Sequence, residues 1–246
     1  MTICLVGSEM CIRDRATDLK SDVHRCSMDL SHRILNVLRI KNNETISIFN
    51  NKGQECLSRV SIEEKQVVLN LSKEIKSGIN KTKKITLCVS IINMKLMDLI
   101  IQKSVELGVT NFIPIYTQRS QYKNVDKKLD HWEKTVIHAT EQCGRLDIMK
   151  LSHPVSLSDI DNIYQSSSKY LLHQNGDKFK YDDLKSNDIT LLVGPEGGLD
   201  DLEIDYLETN GWKMKTINVN ILRTETACIS VLTLLNNYDI FSRRSL

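Results

Sequence analysis

Three short stretches bring together residue types able to hold a ligand or manage charge. In Leu191-Leu192-Val193-Gly194-Pro195-Glu196-Gly197-Gly198 an apolar run enters a glycine-rich turn. Asp200 and Glu203 follow in a D-x-x-E arrangement, which predicts a capping box on the next helix. Strand, glycine turn and helix N-terminus together offer backbone N–H groups to a ligand. The pattern matches neither G-x-x-x-x-G-K-S/T nor G-x-G-x-x-G, so it is neither a P-loop nor a Rossmann fingerprint. In Ile221-Leu222-Arg223-Thr224-Glu225-Thr226-Ala227 an apolar stretch turns polar and then enters an apolar helix, which Thr224 or Thr226 can cap. In Glu141-Gln142-Cys143-Gly144-Arg145 a carboxylate, an amide and a cation gather at a helix C-terminus, where the helix dipole favours the cation. Lys103 and Glu106, three apart on a helix, form a fourth pair. Each stretch also has a plain structural explanation: a tight turn, a helix start, a helix end, a pair of neighbours.

The elements around these stretches fall into two textures. From Ala16 to about Asn80 the pattern is short and strand-like. Ile46, Ile48 and Phe49 precede an Asn/Gly-rich turn at Asn50-Asn51-Lys52-Gly53, and Cys56 to Ile62 and Gln66 to Leu71 follow as two more strands. Short strands joined by turn residues suggest a small β-barrel. Lys73–Lys84 then reads as a linker. From Ile85 strands and helices alternate. Ile85, Leu87, Val89 and Ile91 form a strand pattern; Leu96, Leu99, Ile100 and Leu107 recur at helical spacing until Gly108. Phe112 to Tyr116 is a strand, and Trp132, Val136, Ala139 and Cys143 share a helix face that Gly144 ends. Strands at Tyr170–His173, Ile189–Val193 and near Met214–Val219 follow, with helices from Asp200 and from about Thr224. Such alternation predicts an α/β domain with a mostly parallel sheet.

Charge is unevenly spread. Residues 16–84 hold 13 Lys/Arg against 8 Asp/Glu, whereas residues 85–246 hold 18 against 21. A basic front domain on a slightly acidic body suits contact with a phosphate backbone. The seven cysteines (Cys4, Cys11, Cys26, Cys56, Cys88, Cys143 and Cys228) contain no C-x-x-C pair, so neither a zinc site nor a disulfide framework is indicated. Free, mostly buried thiols in a reducing cytosol are the expectation. No metal is expected, and His32, His138, His153 and His173 read as structural. No stretch approaches the roughly 20 apolar residues of a membrane-spanning helix. Leu5 to Asp14, LVGSEMCIRD, resembles the translation of a transposase-end sequencing adapter. Residues 1–15 are therefore set aside from the fold reasoning and expected to pack loosely.

Taken in order, SHRILNVLRI, IIQKSVELGV with FIPIYTQRS, ATEQCGR, LLVGPEGG and ILRTETA resemble the RsmE-type 16S ribosomal RNA uridine-N3 methyltransferases of the SPOUT class, over roughly His32 to Asn236. The resemblance implies a PUA-like β-barrel over residues 16–80 for RNA docking, then an α/β trefoil-knot methyltransferase domain over 81–246. It implies S-adenosyl-L-methionine as cofactor, a homodimer with sites at the interface, and the small ribosomal subunit as partner in the cytoplasm. Carried onto this chain, Gly194, Pro195, Glu196, Gly197 and Gly198, with Ile217, Ile221, Leu222, Thr224, Thr226 and Ala227, are expected to wrap the cofactor.

Uracil N3 carries a proton and is a poor nucleophile until that proton leaves, so a base or anion-stabilising cations are needed. Arg145 and Arg223 are candidates for the cations; Glu106, Glu141, Glu196 and Glu225 are candidates for base or orienter. Among these Arg145, Arg223, Glu225 and Glu106 are taken as catalytic. Arg33, Arg39, Lys41, Arg119 and Gln142 are the expected RNA contacts. The chain departs from the family pattern twice. No first barrel strand is evident ahead of SHRILNVLRI, and Asn218 and Asn220 stand where the family tends to have Gly and Arg. A SPOUT enzyme acting at another RNA position, or a weakly active RNA-binding assembly protein of the same fold, remain the alternatives.

Overall fold

The computed structural model describes residues 10–13, 21–49, 54–64, 66–77, 83–120, 122, 124–163, 168–217 and 220–237. The chain divides into two units, Met1–Asn80 with Thr140–Ile148, and Lys81–Ala139 with Met149–Leu246.

The first unit is built on five strands: β1 (Met10–Arg13), β2 (Val23–Arg25), β3 (Thr45–Phe49), β4 (Gln54–Glu63) and β5 (Gln66–Ser77), in the order β1-β3-β4-β5-β2. All neighbours are antiparallel except β1 and β3. Helix α1 (Met28–His32) leads into a wider turn at Arg33–Val37, closed by Leu38 N–H to Arg33 O (2.9 Å) and Ile40 N–H to Ile34 O (3.1 Å). Ser27 caps α1 by accepting the Leu30 N–H. Ile34 and Ile40 from this segment meet Ile46, Ile48, Val60, Val67 and Leu69 from the strands in one apolar core. SHRILNVLRI is thus the lid of a small β domain. Two expectations change here. Met10–Arg13, inside the segment set aside as adapter-like, is paired in register with Ile46–Phe49 and supplies the edge strand that the sequence did not reveal. Residues 73–77, expected as linker, continue β5, with Ile75–Ser77 opposite Gln54–Cys56. The Asn50–Gly53 turn lies outside the described residues.

In the second unit every strand pairing is parallel. The strands are β6 (Lys84–Ser90), β7 (Asn111–Tyr116), β8 (Lys150–Leu151), β9 (Val155–Ser156), β10 (Ser168–Lys178), β11 (Asp188–Val193) and β12 (Lys213–Thr216). They run β12-β10-β11-β6-β7-β8, with β9 also on β7. Helices α2 (Met94–Glu106), α3 (Asp126–Cys143), α4 (Ile160–Ile163), α5 (Tyr181–Leu184), α6 (Asp201–Thr209) and α7 (Thr224–Asn236) connect or cover them. Ile85–Ile92 is buried without interruption, as a parallel strand covered on both faces must be. Gly108 and Gly144 take positive φ (81° and 67°) just past α2 and α3, the left-handed stop that glycine allows without steric strain. Asp200 caps α6 with the expected box: Glu203 N–H to Asp200 Oδ1 (2.8 Å) and Asp200 N–H to Glu203 Oε2 (3.0 Å).

β10 is longer than expected, because it continues past His173 by a register shift. Both Leu172 and Asp177 pair with Lys215, so His173–Gly176 bulges out of the ladder. A Cβ on Gly176 would lie 2.5 Å from the Lys215 backbone nitrogen, so the bulge requires glycine at its closest approach.

Candidate active site

The bulged middle of β10 and the C-terminal ends of β11 and β12 open into one cleft of about 490 Å³. In parallel α/β sheets the strand ends are where ligands collect. The loop after β11 contributes Gly194 to Gly198; the loop after β12 and the first turn of α7 contribute Ile217, Asn220, Ile221, Leu222, Arg223, Thr224 and Ala227. Leu171, Leu172, Val193 and Leu199 make apolar walls, and His173, Gln174 and Lys215 add polar groups.

Two ties hold the loops. The buried Thr224 hydroxyl donates to the Gly194 carbonyl at 3.1 Å, joining the two loops directly. Within the glycine turn, Gly198 N–H donates to Pro195 O (2.9 Å) while Gly198 sits at φ 72°. The ammonium of Lys215 bonds Asp183 Oδ2 at 2.7 Å, and both side chains are largely buried. Burial alone would raise the Asp183 carboxyl, but hydrogen bonds from Lys215 and from the Lys180 N–H, with the Lys215 charge, hold it below the usual carboxylate range. Burial pushes the Tyr170 hydroxyl up; that hydroxyl contacts Asp183 at 3.3 Å. On α7, burial pushes the Cys228 thiol far up, with the Glu225 charge adding to it.

The expected residues sort as follows. Ten of the eleven named for the cofactor line this cleft; Thr226 does not and is exposed. Of the four named as catalytic, Arg223 lines it, at the N-cap of α7 and without a side-chain capping bond. Glu225 follows in the first turn of α7, and its Oε2 is buried with no hydrogen-bond partner among the described residues. Glu106 is held by Lys103 (2.8 Å) on α2. Arg145 belongs to the first unit, where its guanidinium forms a two-point pair with Asp147 (2.9 and 2.8 Å). Arg33 donates to both carboxylate oxygens of Glu141 within that unit, which engages two more of the named groups. Arg39, at φ 56°, Lys41 and Gln142 are exposed. Arg119, also named for RNA, donates from its Nη1 to the Gly197 carbonyl at 2.6 Å.

Sequence reasoning set His173 aside as structural and did not single out Gln174 or Lys215, yet all three line the cleft. The general rule that ligands sit beyond strand C-termini would have pointed to the two residues at the end of Tyr170–His173. Lys215 gave no local signal, because its partner Asp183 is 32 residues away. A second recess, of about 540 Å³, is lined among others by Tyr116, Tyr122, Ser156, Ser158, Leu202 and Tyr206, and by none of the expected site residues.

Comparison with known proteins decides the family. The model of the RNA methyltransferase domain matches residues 80–236. The chain belongs to the RNA methyltransferase family. The methyltransferase is 33 % identical over 208 residues to the ribosomal RNA small subunit methyltransferase E of Aquifex aeolicus, covering 82 % of this chain and 89 % of the relative. Its fold matches the Neisseria gonorrhoeae ribosomal RNA small subunit methyltransferase E, solved bound to S-adenosyl methionine. The TM-score is 0.83 at 28 % identity, over 93 % of this chain and 97 % of the other. A Legionella pneumophila structure, described as a methyltransferase with bound cofactor SAM, gives a TM-score of 0.85 at 29 % identity, over 92 % and 96 %. These likenesses bear out the fold class expected from the sequence, a SPOUT-type α/β trefoil-knot domain behind a small PUA-like β domain. No helix among the described residues of the methyltransferase is long and apolar enough to cross a membrane. Among the same residues no group of three His, Cys, Asp or Glu side chains is placed to hold a metal ion.

Proposed function

We propose that the chain transfers a methyl group from S-adenosyl-L-methionine to N3 of a uridine in the 16S ribosomal RNA of the small subunit. The observation that carries this reading is the cleft itself. Its two loops come from LLVGPEGG and ILRTETA, two of the stretches that carry the family resemblance, and they are tied to each other through Thr224 and Gly194. The names of the relatives and the cofactor in two solved neighbours support the substrate and the cofactor.

The residues present fit such a cofactor. Apolar walls from Leu171, Leu172, Val193, Leu199 and Leu222 suit the faces of a purine, and the backbone groups of the glycine loop suit its polar edges. The volume, about 490 Å³, is in the range of small-molecule sites. When bound, the cofactor supplies a methyl group on a sulfonium, ready for in-line displacement. The chain has to bring the acceptor into line, a task for which placement alone lowers the barrier substantially. Arg223, at the cleft and at the start of α7, is assigned to stabilise the negative charge that develops when the N3 proton leaves. Glu196 is the one carboxylate among the described residues that line the cleft, and this supports it as the group that takes the proton. Glu106 and Glu141, held by Lys103 and Arg33, recede as candidates.

The exposed Arg39 and Lys41 of the first unit support an RNA-docking role for it, in line with its basic balance. The family resemblance carries the expectation of a homodimer, in which a second copy would cover Ile221, 81 % exposed among the residues lining the cleft. A protein with this activity would work in the cytoplasm, where its ribosomal substrate is. Calorimetric titration with S-adenosyl-L-methionine tests the reading. Saturable binding of one molecule per chain is expected; no binding would favour the assembly-protein alternative and overturn the enzyme.

A further inference from the structure

The glycine loop is gripped from outside the cleft by a turn that none of the cofactor motifs contains. Residues Thr117–Ser120 follow β7. The turn is closed by Ser120 N–H to Thr117 O (3.1 Å) and by Thr117 N–H to Ser120 Oγ (2.9 Å). From it the Arg119 Nη1 reaches the Gly197 carbonyl at 2.6 Å, and the Arg119 stem lies so close that a Cβ on Gly197 would meet its Cδ at 3.5 Å. The same turn is tied to the far end of the loop through one carboxylate. Glu203 accepts Gln118 N–H on Oε1 (2.8 Å) and Asp200 N–H on Oε2 (3.0 Å).

The consequence follows from peptide geometry. In a trans peptide the C=O and N–H point in opposite directions. The Gly197–Gly198 peptide is therefore pinned at both ends: its oxygen by Arg119 and its N–H by the Pro195 carbonyl (2.9 Å). Two consecutive glycines would otherwise let this peptide rotate at little steric expense. Gly198 sits at φ 72°, one of several regions glycine enters without strain, so the two hydrogen bonds select this conformation.

We propose that Arg119 and Glu203 form a clasp that presets the Gly194–Gly198 loop for its ligand, so that Arg119 is a positioning residue of the cofactor cleft and not an RNA contact. The inference rests on reading the cleft as the S-adenosyl-L-methionine site. The clasp acts by removing loop conformations that do not bind, which strengthens binding without touching the ligand.

The test uses the full chain with R119M, R119K and E203Q. Three quantities are measured: the cofactor dissociation constant, the KM for small subunits, and exchange of the Gly198 amide hydrogen without cofactor. R119M is expected to weaken cofactor binding about tenfold, the loss of one charge-assisted hydrogen bond, with the subunit KM unchanged within about twofold. R119K is expected to recover part of the affinity, since an ammonium can still donate to the Gly197 carbonyl but cannot reproduce the planar fork. E203Q, which leaves one oxygen acceptor for two N–H donors, is expected to fall between wild type and R119M. An unchanged cofactor constant in R119M overturns the proposal, and a raised subunit KM beside it would return Arg119 to the RNA. Should wild type bind no cofactor, the functional reading fails, but the amide still reports on the clasp. Faster Gly198 exchange in R119M supports the clasp, and unchanged exchange overturns it.

Discussion

Thr224 joins the two loops of the cleft, and replacing it measures what that junction is worth. Its side chain is buried, and its hydroxyl donates to the Gly194 carbonyl at 3.1 Å. Thr224→Val keeps the shape and the helix propensity nearly constant but removes the donor. The lost hydrogen bond contributes about 1 kcal/mol, and leaving the carbonyl without a partner costs about 1–3 kcal/mol where water cannot reach it. Gly194 is partly accessible, so the expected loss of stability is about 1–2 kcal/mol. Thr224→Ser keeps the donor and loses a methyl group, for which about 0.8 kcal/mol is expected. Because both tethered loops line the cleft, Val should also weaken S-adenosyl-L-methionine binding, by up to about tenfold, and Ser should weaken it less. Urea unfolding gives the stabilities and calorimetric titration the affinities. Val as stable and as tight-binding as wild type, or Ser worse than Val in both assays, would refute the reasoning.

Further outcomes follow from the same geometry. Gly176→Ala puts a Cβ 2.5 Å from the Lys215 nitrogen, so β10 and β12 must separate; urea unfolding should show a loss of about 3 kcal/mol or more. Asp183 has a folded-state pKa below its unfolded one, so its contribution is fully present above the ordinary carboxylate value and fades as pH falls through the lowered one. Asp183→Asn, which leaves the Lys215 ammonium buried without its partner, should cost about 3 kcal/mol near pH 7. The gap to wild type should close at acid pH, as read from unfolding at a series of pH values. Burial pushes the Cys56, Cys88 and Cys228 thiols up, whereas Cys143 is exposed. Brief treatment with iodoacetamide at pH 7 should therefore label Cys143 and spare those three, as peptide mass spectrometry would show. Arg223→Gln should lower methyl transfer by about a hundredfold with cofactor affinity nearly retained, if its charge acts on the developing anion.

Much of the frame was legible because it rests on local rules. The Asp200–Glu203 box, the stops at Gly108 and Gly144, and strands β3, β6, β7 and β11 each announce themselves within a few residues. The cofactor motifs were legible for a different reason: several short stretches in order resemble one family, whereas each alone passes for a turn or a helix start. What escaped depends on contacts distant in sequence. Strands β2, β8 and β9 span two or three residues and exist through their partners. The bulge at His173–Gly176 is set by β12, some forty residues on. Glu203 reads as a capping residue, yet it also holds Gln118, 85 residues away. Arg119 reads as a surface cation until the glycine loop is brought beside it. Arg145 and Glu106 were drawn in by residue type, and the structure gives each a close partner, Asp147 and Lys103, of the kind that was legible from neighbouring positions.

The central claim is the reaction. Small subunits from a strain that lacks this modification, incubated with the protein and S-adenosyl-L-methionine, should yield N3-methyluridine in the 16S ribosomal RNA when its nucleosides are resolved by mass spectrometry. A methyl group appearing on another nucleoside would contradict the assigned position, and no transfer despite cofactor binding would contradict the assigned substrate.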